Sequence, residues 1–165
     1  MGRPIKNLQD VDLAYISGFL DGDGSIMVQV KKTRDRKSGW RLMFTICFYQ
    51  DSRHEKPLFW IQKKLDIGYI SRRNDGMTEL RINGYRRTKE ILEALHPYIK
   101  FKKKQVKYVL KILNILEPYK GLSRLKKNDR VAIAKAILAA RQETYQSGSK
   151  RMEKLKADLK KIVEM

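Results

Sequence analysis

The first apolar residues of the chain recur at the spacing of an α-helix. Residues three or four positions apart form one apolar face, made of Leu13, Ile16, Phe19 and Leu20. A second face carries small residues at intervals of four, namely Ala14, Gly18 and Gly22. We expect a helix that Asp10 or Asp12 caps and that ends near Asp21. Its small face would allow the backbone of a second helix to approach closely.

From Gly24 onward the pattern changes to alternation between apolar and polar positions, which predicts β-strands. Two strands, at about 24–33 and 41–49, flank a polar and basic turn at 34–39. Their apolar positions are Ile26, Val28, Val30, Leu42, Phe44, Ile46 and Phe48. Their outward positions are Met27, Gln29, Lys31, Thr33, Arg41, Met43, Thr45, Cys47 and Tyr49. An antiparallel ribbon with this pattern buries one face and leaves the other open to a partner.

The remaining segments continue the mixture of helical and strand patterns. Two shorter strands, around 67–73 and 78–83, are connected by a turn at Asn74-Asp75-Gly76. Helices are expected at about 55–66, 86–96, 103–117, 127–145 and 149–163. The predicted fold class is therefore α+β, with a saddle-shaped antiparallel sheet and helices on one of its faces.

The composition adds a strong charge imbalance to this picture. The 165 residues suit one domain over 1–165, with a core at about 10–117 and a C-terminal helical extension at about 118–165. They include 37 Lys and Arg against 18 Asp and Glu, a formal net charge of +19. This excess favours a polyanionic partner, and nucleic acid is the first candidate. A ribosomal or otherwise non-specific basic protein would show the same balance.

Cysteine usage and hydropathy bear on the compartment in which the protein works. Cys47 is the single cysteine, so no disulfide can form within the chain, which fits a reducing intracellular compartment. No apolar run approaches the roughly 20 residues of a membrane span. The N-terminus lacks the apolar core of a secretory signal. We therefore expect an intracellular protein with no membrane partner.

The most specific signal lies where the first helix ends. This run occurs once and reads Ile16-Ser17-Gly18-Phe19-Leu20-Asp21-Gly22-Asp23-Gly24. Asp23 is expected at the helix exit, where its carboxylate and the carbonyl end of the helix both favour a cation. The alternative is that Asp23 is only a turn residue of the Asp-Gly-Asp-Gly sequence.

This run resembles the signature of the LAGLIDADG homing endonucleases, position for position. The resemblance implies an αββαββα fold and a metal-dependent, site-specific endonuclease that cuts double-stranded DNA and leaves short 3′ overhangs. It implies that Asp23 binds catalytic Mg²⁺, at a site that Mn²⁺ or Ca²⁺ can also occupy, and that the backbone carbonyl of Gly22 assists. It further implies a structural role for Asp21, in hydrogen bonds that pair two helices.

The single motif has a consequence for assembly. Cutting both DNA strands needs two active sites, and one chain supplies a single Asp23. Two chains would therefore pair, and a twofold homodimer would read a nearly palindromic target. The residues expected at the dimer interface are Ala14, Ser17, Gly18, Asp21 and Gly22. The alternative is that Ala14 and Gly18 pack within their own chain.

Two further residues match accessory positions of the resembled family. Gln50 ends the second strand, where a polar residue helps to position water or metal. Lys102 corresponds to a lysine that stabilises charge near the scissile phosphate. The alternatives are a strand-end cap for Gln50 and a general phosphate contact for Lys102. Members of the resembled family carry a basic residue near this point, and it corresponds to either Arg53 or His54.

The outward face of the sheet and the neighbouring loops are expected to contact DNA, because Arg, Gln and Glu side chains can read base edges in the major groove. The candidates are Gln29, Lys31, Thr33, Arg34, Arg36, Arg41, Met43, Thr45, Tyr49, Ser71, Arg73, Glu79, Arg81, Lys104, Ser147, Ser149, Lys150 and Arg151. Met43, Cys47 and Tyr49 either touch thymine methyl groups or are partly buried. Residues 147–151 either clamp a phosphate or form a solvated linker between the last two helices.

Together with the resemblance, these features favour an intron-encoded homing endonuclease that acts in the compartment of its host gene, a prokaryotic cytoplasm or an organelle matrix. Two other functions fit the same fold. One is an RNA maturase, for which RNA would be the partner, and the other is a DNA-binding protein without catalysis. Both predict that replacing Asp23 is harmless, whereas the presence of Asp23, Gln50 and Lys102 together favours the nuclease.

Overall fold

The computed structural model describes residues 5, 8–34, 38–119, 121–144 and 148–165. Within these ranges the helices are α1 Asp10–Asp23, α2 Lys56–Leu65, α3 Tyr85–Leu95, α4 Lys103–Leu116, α5 Lys127–Gln142 and α6 Ser149–Glu164. The strands are β1 Gly24–Lys32, β2 Trp40–Asp51, β3 Tyr69–Arg72 and β4 Met77–Asn83. Short 3₁₀ turns cover Ser52–His54 and Leu122–Arg124. Every predicted helix and strand is present, so the α+β class is confirmed.

The four strands form one sheet in the order β1-β2-β4-β3. β4 runs antiparallel to both of its neighbours, β2 and β3. The register places Arg81 of β4 between Cys47 of β2 and Tyr69 of β3. It also places Gln50 opposite Thr78. The polar residues of β4 therefore lie directly beside those of β2, a neighbourhood that the linear pattern does not reveal.

The turn between β3 and β4 forms where the sequence predicts it. Gly76 adopts a φ of 81°, a left-handed conformation that costs glycine little. The backbone N–H of Arg73 donates to the carbonyl of Met77 over 2.8 Å and closes the hairpin. The carboxylate of Asp75 accepts hydrogen bonds from the Met77 backbone and the Arg73 guanidinium. Local chemistry thus explains the turn fully.

The chain divides into two compact units, one made of residues 1–27 and 44–103 and the other of residues 28–43 and 104–165. β1 and β2 each run from one unit into the other. The predicted boundary near residue 117, between the core and the C-terminal extension, stays a prediction. The first unit buries apolar side chains of α1, α2, α3, β2 and β4, among them Ile16, Leu20, Phe48, Leu58, Leu80 and Leu92. The second buries Val106, Ile112, Leu113, Ile133, Ile137, Leu159 and Ile162. No helix in the described ranges is long and apolar enough to cross a bilayer.

The predicted cap of α1 is wrong. The N-cap residue is Gln9, and its side chain makes no capping hydrogen bond. Asp10 lies in the first turn and accepts a hydrogen bond from the Tyr98 hydroxyl over 2.8 Å. Asp12 pairs with the Lys64 ammonium over 2.7 Å. Both carboxylates lie in the first turn, where they interact favourably with the positive end of the helix dipole, but the helix begins one residue too early for either to be the N-cap.

Candidate active site and nucleic-acid interface

The helix α1 ends abruptly and passes directly into β1. Gly24 makes this possible, because a Cβ there would lie 2.6 Å from Leu20 Cδ1 and 2.8 Å from two backbone atoms of Leu20. Asp23 is the last helical residue, and its side chain is exposed. In the described part of the chain its carboxylate accepts no hydrogen bond and forms no ion pair. A free carboxylate at the negative end of a helix dipole is a favourable place for a cation.

Asp21, two residues earlier in the motif, has partners within its own chain. Its carboxylate accepts backbone hydrogen bonds from Lys100 over 2.7 Å, from Phe101 over 3.0 Å and from Lys102 over 3.0 Å. These three N–H groups immediately precede α4. The hydrogen bonds of Asp21 therefore join α1 to the turn at 100–102, whereas the sequence predicted bonds between paired helices. Nothing in the sequence connects positions about eighty residues apart, so this contact was missed.

Lys102 returns from that turn to the end of α1. Its ammonium donates a short hydrogen bond to the backbone carbonyl of Asp21 and lies 5.2 Å from the centre of the Phe101 ring. Burial lowers the pKa of Lys102, while the charges of Asp21 and Asp23 act in the opposite direction. The structure thus places Lys102 where the charge of Asp23 acts on it, and their role as two residues of one active site stays a prediction.

Gln50 lies near the end of β2, where its side-chain oxygen accepts the backbone N–H of Asp51 over 2.9 Å. This local bond is the one expected of a strand-end cap. In the described part of the chain no hydrogen bond joins Gln50 to Asp23 or Lys102. A role for Gln50 in positioning water therefore stays a prediction.

The basic residues after β2 differ in their surroundings. The guanidinium of Arg53 forms two hydrogen bonds with the Asp51 carboxylate, at 2.7 and 3.0 Å. These bonds, together with the backbone N–H of Arg53, hold the pKa of Asp51 well below its usual range. His54 ends the same 3₁₀ turn and is exposed. Arg53 therefore has a carboxylate partner, but its side chain is exposed as well, so both basic residues remain accessible.

The polar face of the sheet in the first unit is less open than predicted. Thr45 and Glu79 are buried, so the expectation that they point freely outward is wrong. Cys47 is buried too, in line with the second of the two alternatives that the sequence left open for it. The Thr45 hydroxyl donates to Asn83 over 2.7 Å, and the Arg81 guanidinium donates to Glu79 over 3.0 Å. Burial raises the pKa of the Cys47 thiol. The cause is the placement of β4 beside β2, which sets neighbouring side chains against these three.

Other predicted contact residues of the first unit remain accessible in part. Tyr49 is half-buried, and its hydroxyl shares a 3.0 Å hydrogen bond with Ser25. Arg73 is exposed and pairs with Asp75 over 2.6 Å, while Ser71 and Arg81 are partly exposed. The roles of these side chains in DNA contact stay predictions.

The strand residues of the second unit agree better with the predicted contact face. Among the predicted contact residues, Gln29, Lys31 and Arg41 are exposed on the strands, and Arg34 is exposed just after β1. Thr33 and Met43 are partly exposed. Lys104, on α4, is exposed as well. Arg36 lies outside the described residues.

The start of α6 carries the predicted phosphate clamp. Ser149, Lys150 and Arg151 are exposed, and Gly148 is the N-cap residue. Backbone N–H groups at a helix N-terminus attract anions, so the placement fits a phosphate contact and fits a solvated linker equally. Ser147 lies outside the described residues.

The side of α1 opposite to the buried apolar residues is open. Ala14, Gly18 and Gly22 are exposed, and a Cβ at either glycine would meet no atom within 4 Å. Ser17 was predicted at the same interface, but it is completely buried and its hydroxyl donates to the Leu95 carbonyl over 3.2 Å. The predicted interface role of Ser17 is therefore wrong, because this residue packs α1 against α3 and cannot reach a second chain.

The oxygen atoms at the end of α1 do not form a complete metal cage by themselves. Within the described ranges, no three His, Cys, Asp or Glu side chains lie close enough together to hold a metal ion. The oxygen groups nearest to the exit of α1 are the Asp23 carboxylate and the backbone carbonyls of the last helical turn. An ion bound there would need further ligands from water or from a substrate.

Known proteins share both the sequence and this fold. The LAGLIDADG endonuclease family model matches residues 16–116. The DNA endonuclease I-CvuI of Chlorella vulgaris is 30% identical over 163 residues, which make up 97% of each chain. The DNA endonuclease I-CreI of Chlamydomonas reinhardtii is 31% identical over 104 residues, which make up 63% of each chain.

Crystal structures of I-CvuI in complex with DNA targets, one with Mg and one with Ca present, resemble this chain with a TM-score of 0.70. The sequence identity is 29%, and the match covers 92% of this chain and 94% of the I-CvuI chain. The family match spans well over half of the sequence and includes the motif that ends in Asp23. The chain therefore belongs to the LAGLIDADG endonuclease family.

Proposed function

We propose that this chain cuts both strands of a long, nearly palindromic DNA target as a homodimer, with Mg²⁺ held at Asp23. The observation that carries the proposal is the exposed carboxylate of Asp23 at the end of α1, unpaired among the described residues and in electrostatic range of Lys102. Membership of the family makes the chain a site-specific DNA endonuclease. The metal, the assembly, the residue roles and the location in the compartment of the host gene are the proposed parts.

The donor groups at the end of α1 fit a hard divalent cation. Mg²⁺ prefers oxygen ligands, keeps several waters, and is commonly held by one or two carboxylates together with substrate phosphates. Asp23 supplies a carboxylate and Gly22 a backbone carbonyl, and both residues are exposed. When bound, the ion would activate water and stabilise the leaving oxygen of the phosphodiester. The Mg and Ca present in the I-CvuI complexes support a divalent ion in a relative.

Lys102 supplies the positive charge beside this carboxylate. Its ammonium is partly buried, where electrostatic interactions are stronger than in water. The bond to the Asp21 carbonyl fixes its direction. A cation held in place before the reaction can stabilise the negative charge that develops on a phosphate during hydrolysis. We assign this role to Lys102.

The open side of α1 supports a homodimer. Ala14, Gly18 and Gly22 would let the same helix of a second chain approach with little steric hindrance. Val11 and Tyr15 are 68% and 49% exposed, so apolar surface flanks the glycines. A twofold pair would bury this surface and bring two Asp23 residues to one duplex.

Exposed basic side chains support DNA as the substrate. The formal charge of +19 is spread over strands, loops and α6. Phosphate contacts from Lys and Arg release counterions, which drives binding and makes it dependent on salt. The exposed Gln29 and Arg41 can read base edges, since Gln pairs with adenine and Arg with guanine in the major groove.

A cleavage assay on Asp23→Asn tests the active-site assignment. The target is selected from a randomised library of nearly palindromic duplexes by cleavage in Mg²⁺. We expect Asp23→Asn to lose at least about a hundredfold in cleavage rate, because the amide is a much poorer magnesium ligand. Specific binding to the same duplex, measured in Ca²⁺, should remain.

Asp66→Asn is the matched control for this assay. Asp66 is an exposed aspartate at the C-cap of α2, with a φ of 51° that asparagine also adopts readily. The control should cleave as the wild type does. Wild-type cleavage by Asp23→Asn would overturn the assignment, and specific binding without cleavage by the wild type would favour a binding function on the same fold.

A further inference from the structure

The turn at 100–102 is held by α1 through one side chain. Three consecutive backbone N–H groups, those of Lys100, Phe101 and Lys102, converge on the Asp21 carboxylate at 2.7 to 3.0 Å. The last of these residues then directs its ammonium back to the carbonyl of the same aspartate. Asp21 is therefore bonded to Lys102 at two points, once through its side chain and once through its backbone.

We infer that Asp21 is the positioning residue for Lys102 in DNA cleavage, through the three backbone hydrogen bonds that fix the turn at 100–102. The inference rests on the proposed function, because it requires Lys102 to act on the phosphate. Asp21 itself touches neither the metal nor the substrate in this role. It sets the place from which Lys102 acts.

A carboxylate suits this role better than a neutral group. Its two oxygens accept all three hydrogen bonds, two at Oδ2 and one at Oδ1. Hydrogen bonds to an ionised acceptor are shorter and stronger than those to a neutral one. An asparagine has one acceptor oxygen, and its NH₂ group would face a backbone N–H. The three amides also precede the N-terminus of α4, whose dipole favours a negative charge.

Hydrogen bonds hold the backbone that leads from α3 to Lys102. Tyr98 and Ile99 both donate backbone hydrogen bonds to Leu95, which ends α3. The next three residues donate to Asp21, and α4 begins directly after them. If the carboxylate is lost, the turn can move while α3 and α4 stay intact, and the Lys102 ammonium moves with it.

A double-mutant cycle on Asp21→Asn and Lys102→Met tests the inference. The readouts are the single-turnover cleavage rate in Mg²⁺, the affinity for the target in Ca²⁺ and the melting temperature. We expect each single variant to lose at least about tenfold in rate, with affinity changed by less than about threefold. The double variant should be no more than about threefold slower than Lys102→Met, because both changes remove the same positioned charge.

Asp10→Asn is the matched control, since Asp10 is a carboxylate of the same helix that accepts a hydrogen bond from Tyr98. It should cleave within about twofold of the wild type. Asp21→Glu keeps the charge on a longer side chain and gives a second folded variant if Asp21→Asn unfolds. It should cleave more slowly than the wild type but lose this defect in the Lys102→Met background.

The outcomes separate the inference from the proposed function. Wild-type cleavage by Lys102→Met would overturn the role of Lys102 and the inference with it. A slow Lys102→Met together with a normal Asp21→Asn would overturn the inference alone. So would rate losses that multiply in the double variant, because Asp21 would then act independently of Lys102.

Discussion

The two sides of α1 have opposite relations to the rest of the chain. On the inner side, Ser17 is completely buried and Asp21 holds the turn at 100–102. On the outer side, Gly18 and Gly22 are exposed, and a methyl group added to either one would have no atom within 4 Å. One short motif thus contains residues that hold distant parts of the chain together and residues that leave a surface open, where we propose that another helix packs.

The glycines of the motif show the same contrast. Gly18 and Gly22 have free space around them, whereas Gly24 is packed against Leu20 at distances that exclude a side chain. In the proposed homodimer a partner helix accounts for the first two, whereas the turn from α1 into β1 accounts for the third. The same residue type is present for two physical reasons, and substitutions can separate them.

The largest effect is expected for Gly18→Leu on the outer side. The space around Gly18 is open within its own chain, so the circular dichroism spectrum should be unchanged. Between two close-packed helices a leucine would prevent approach, so sedimentation should give a single chain in place of a dimer. Double-strand cleavage should then fall at least about a hundredfold, because each duplex needs two active sites.

Asn114→Leu is the matched control for this substitution, since it adds a leucine at an exposed position of α4. It should remain a dimer and cleave normally. A dimeric, fully active Gly18→Leu would contradict the assignment of the outer side to pairing.

A smaller effect is expected at the third glycine. Gly24→Ala should lower the free energy of unfolding by about 2–4 kcal/mol, because two of the atoms in its way belong to the Leu20 backbone and cannot rotate aside. Gly22→Ala is the same change two residues earlier in open space. We expect it to change the free energy of unfolding by less than about 1 kcal/mol. Denaturant unfolding of both variants measures the difference, and equal losses would show that packing does not distinguish the two glycines.

The sequence predicted the outer side of α1 better than the inner side. Periodicity and composition reveal local properties. These include the spacing of Ala14, Gly18 and Gly22 and the change from helix to strand at Gly24. Strand and helix positions were predicted for the same reason, and the helix expected at 103–117 is found at Lys103–Leu116. The partners of Asp21 depend on how distant segments meet, and no local pattern encodes them.

The burial of Thr45 and Glu79 illustrates the same limit. Alternation correctly assigned these residues to the polar face, but the burial of that face depends on which strand lies next to β2. The order β1-β2-β4-β3 places Asn83 opposite Thr45 and sets Glu79 between Tyr49 of β2 and Ser71 of β3. The candidate contact residues Lys31 and Arg41 are exposed, as the alternating pattern predicts.

The smallest effect concerns the pH dependence of stability on the inner side. Burial lowers the pKa of Lys102 below the ordinary 10.5, although Asp21 and Asp23 oppose the change. Between the lowered pKa and 10.5, the unfolded chain holds a proton that the folded chain has lost, so the free energy of unfolding gains a term that rises with pH. Lys102→Met and Lys102→Arg both remove this titration, since methionine has no charge and arginine keeps its proton throughout the range. The stability of the wild type relative to either variant should therefore increase as the pH rises toward 10.5, and parallel curves would show that the Lys102 ammonium is not desolvated at the end of α1.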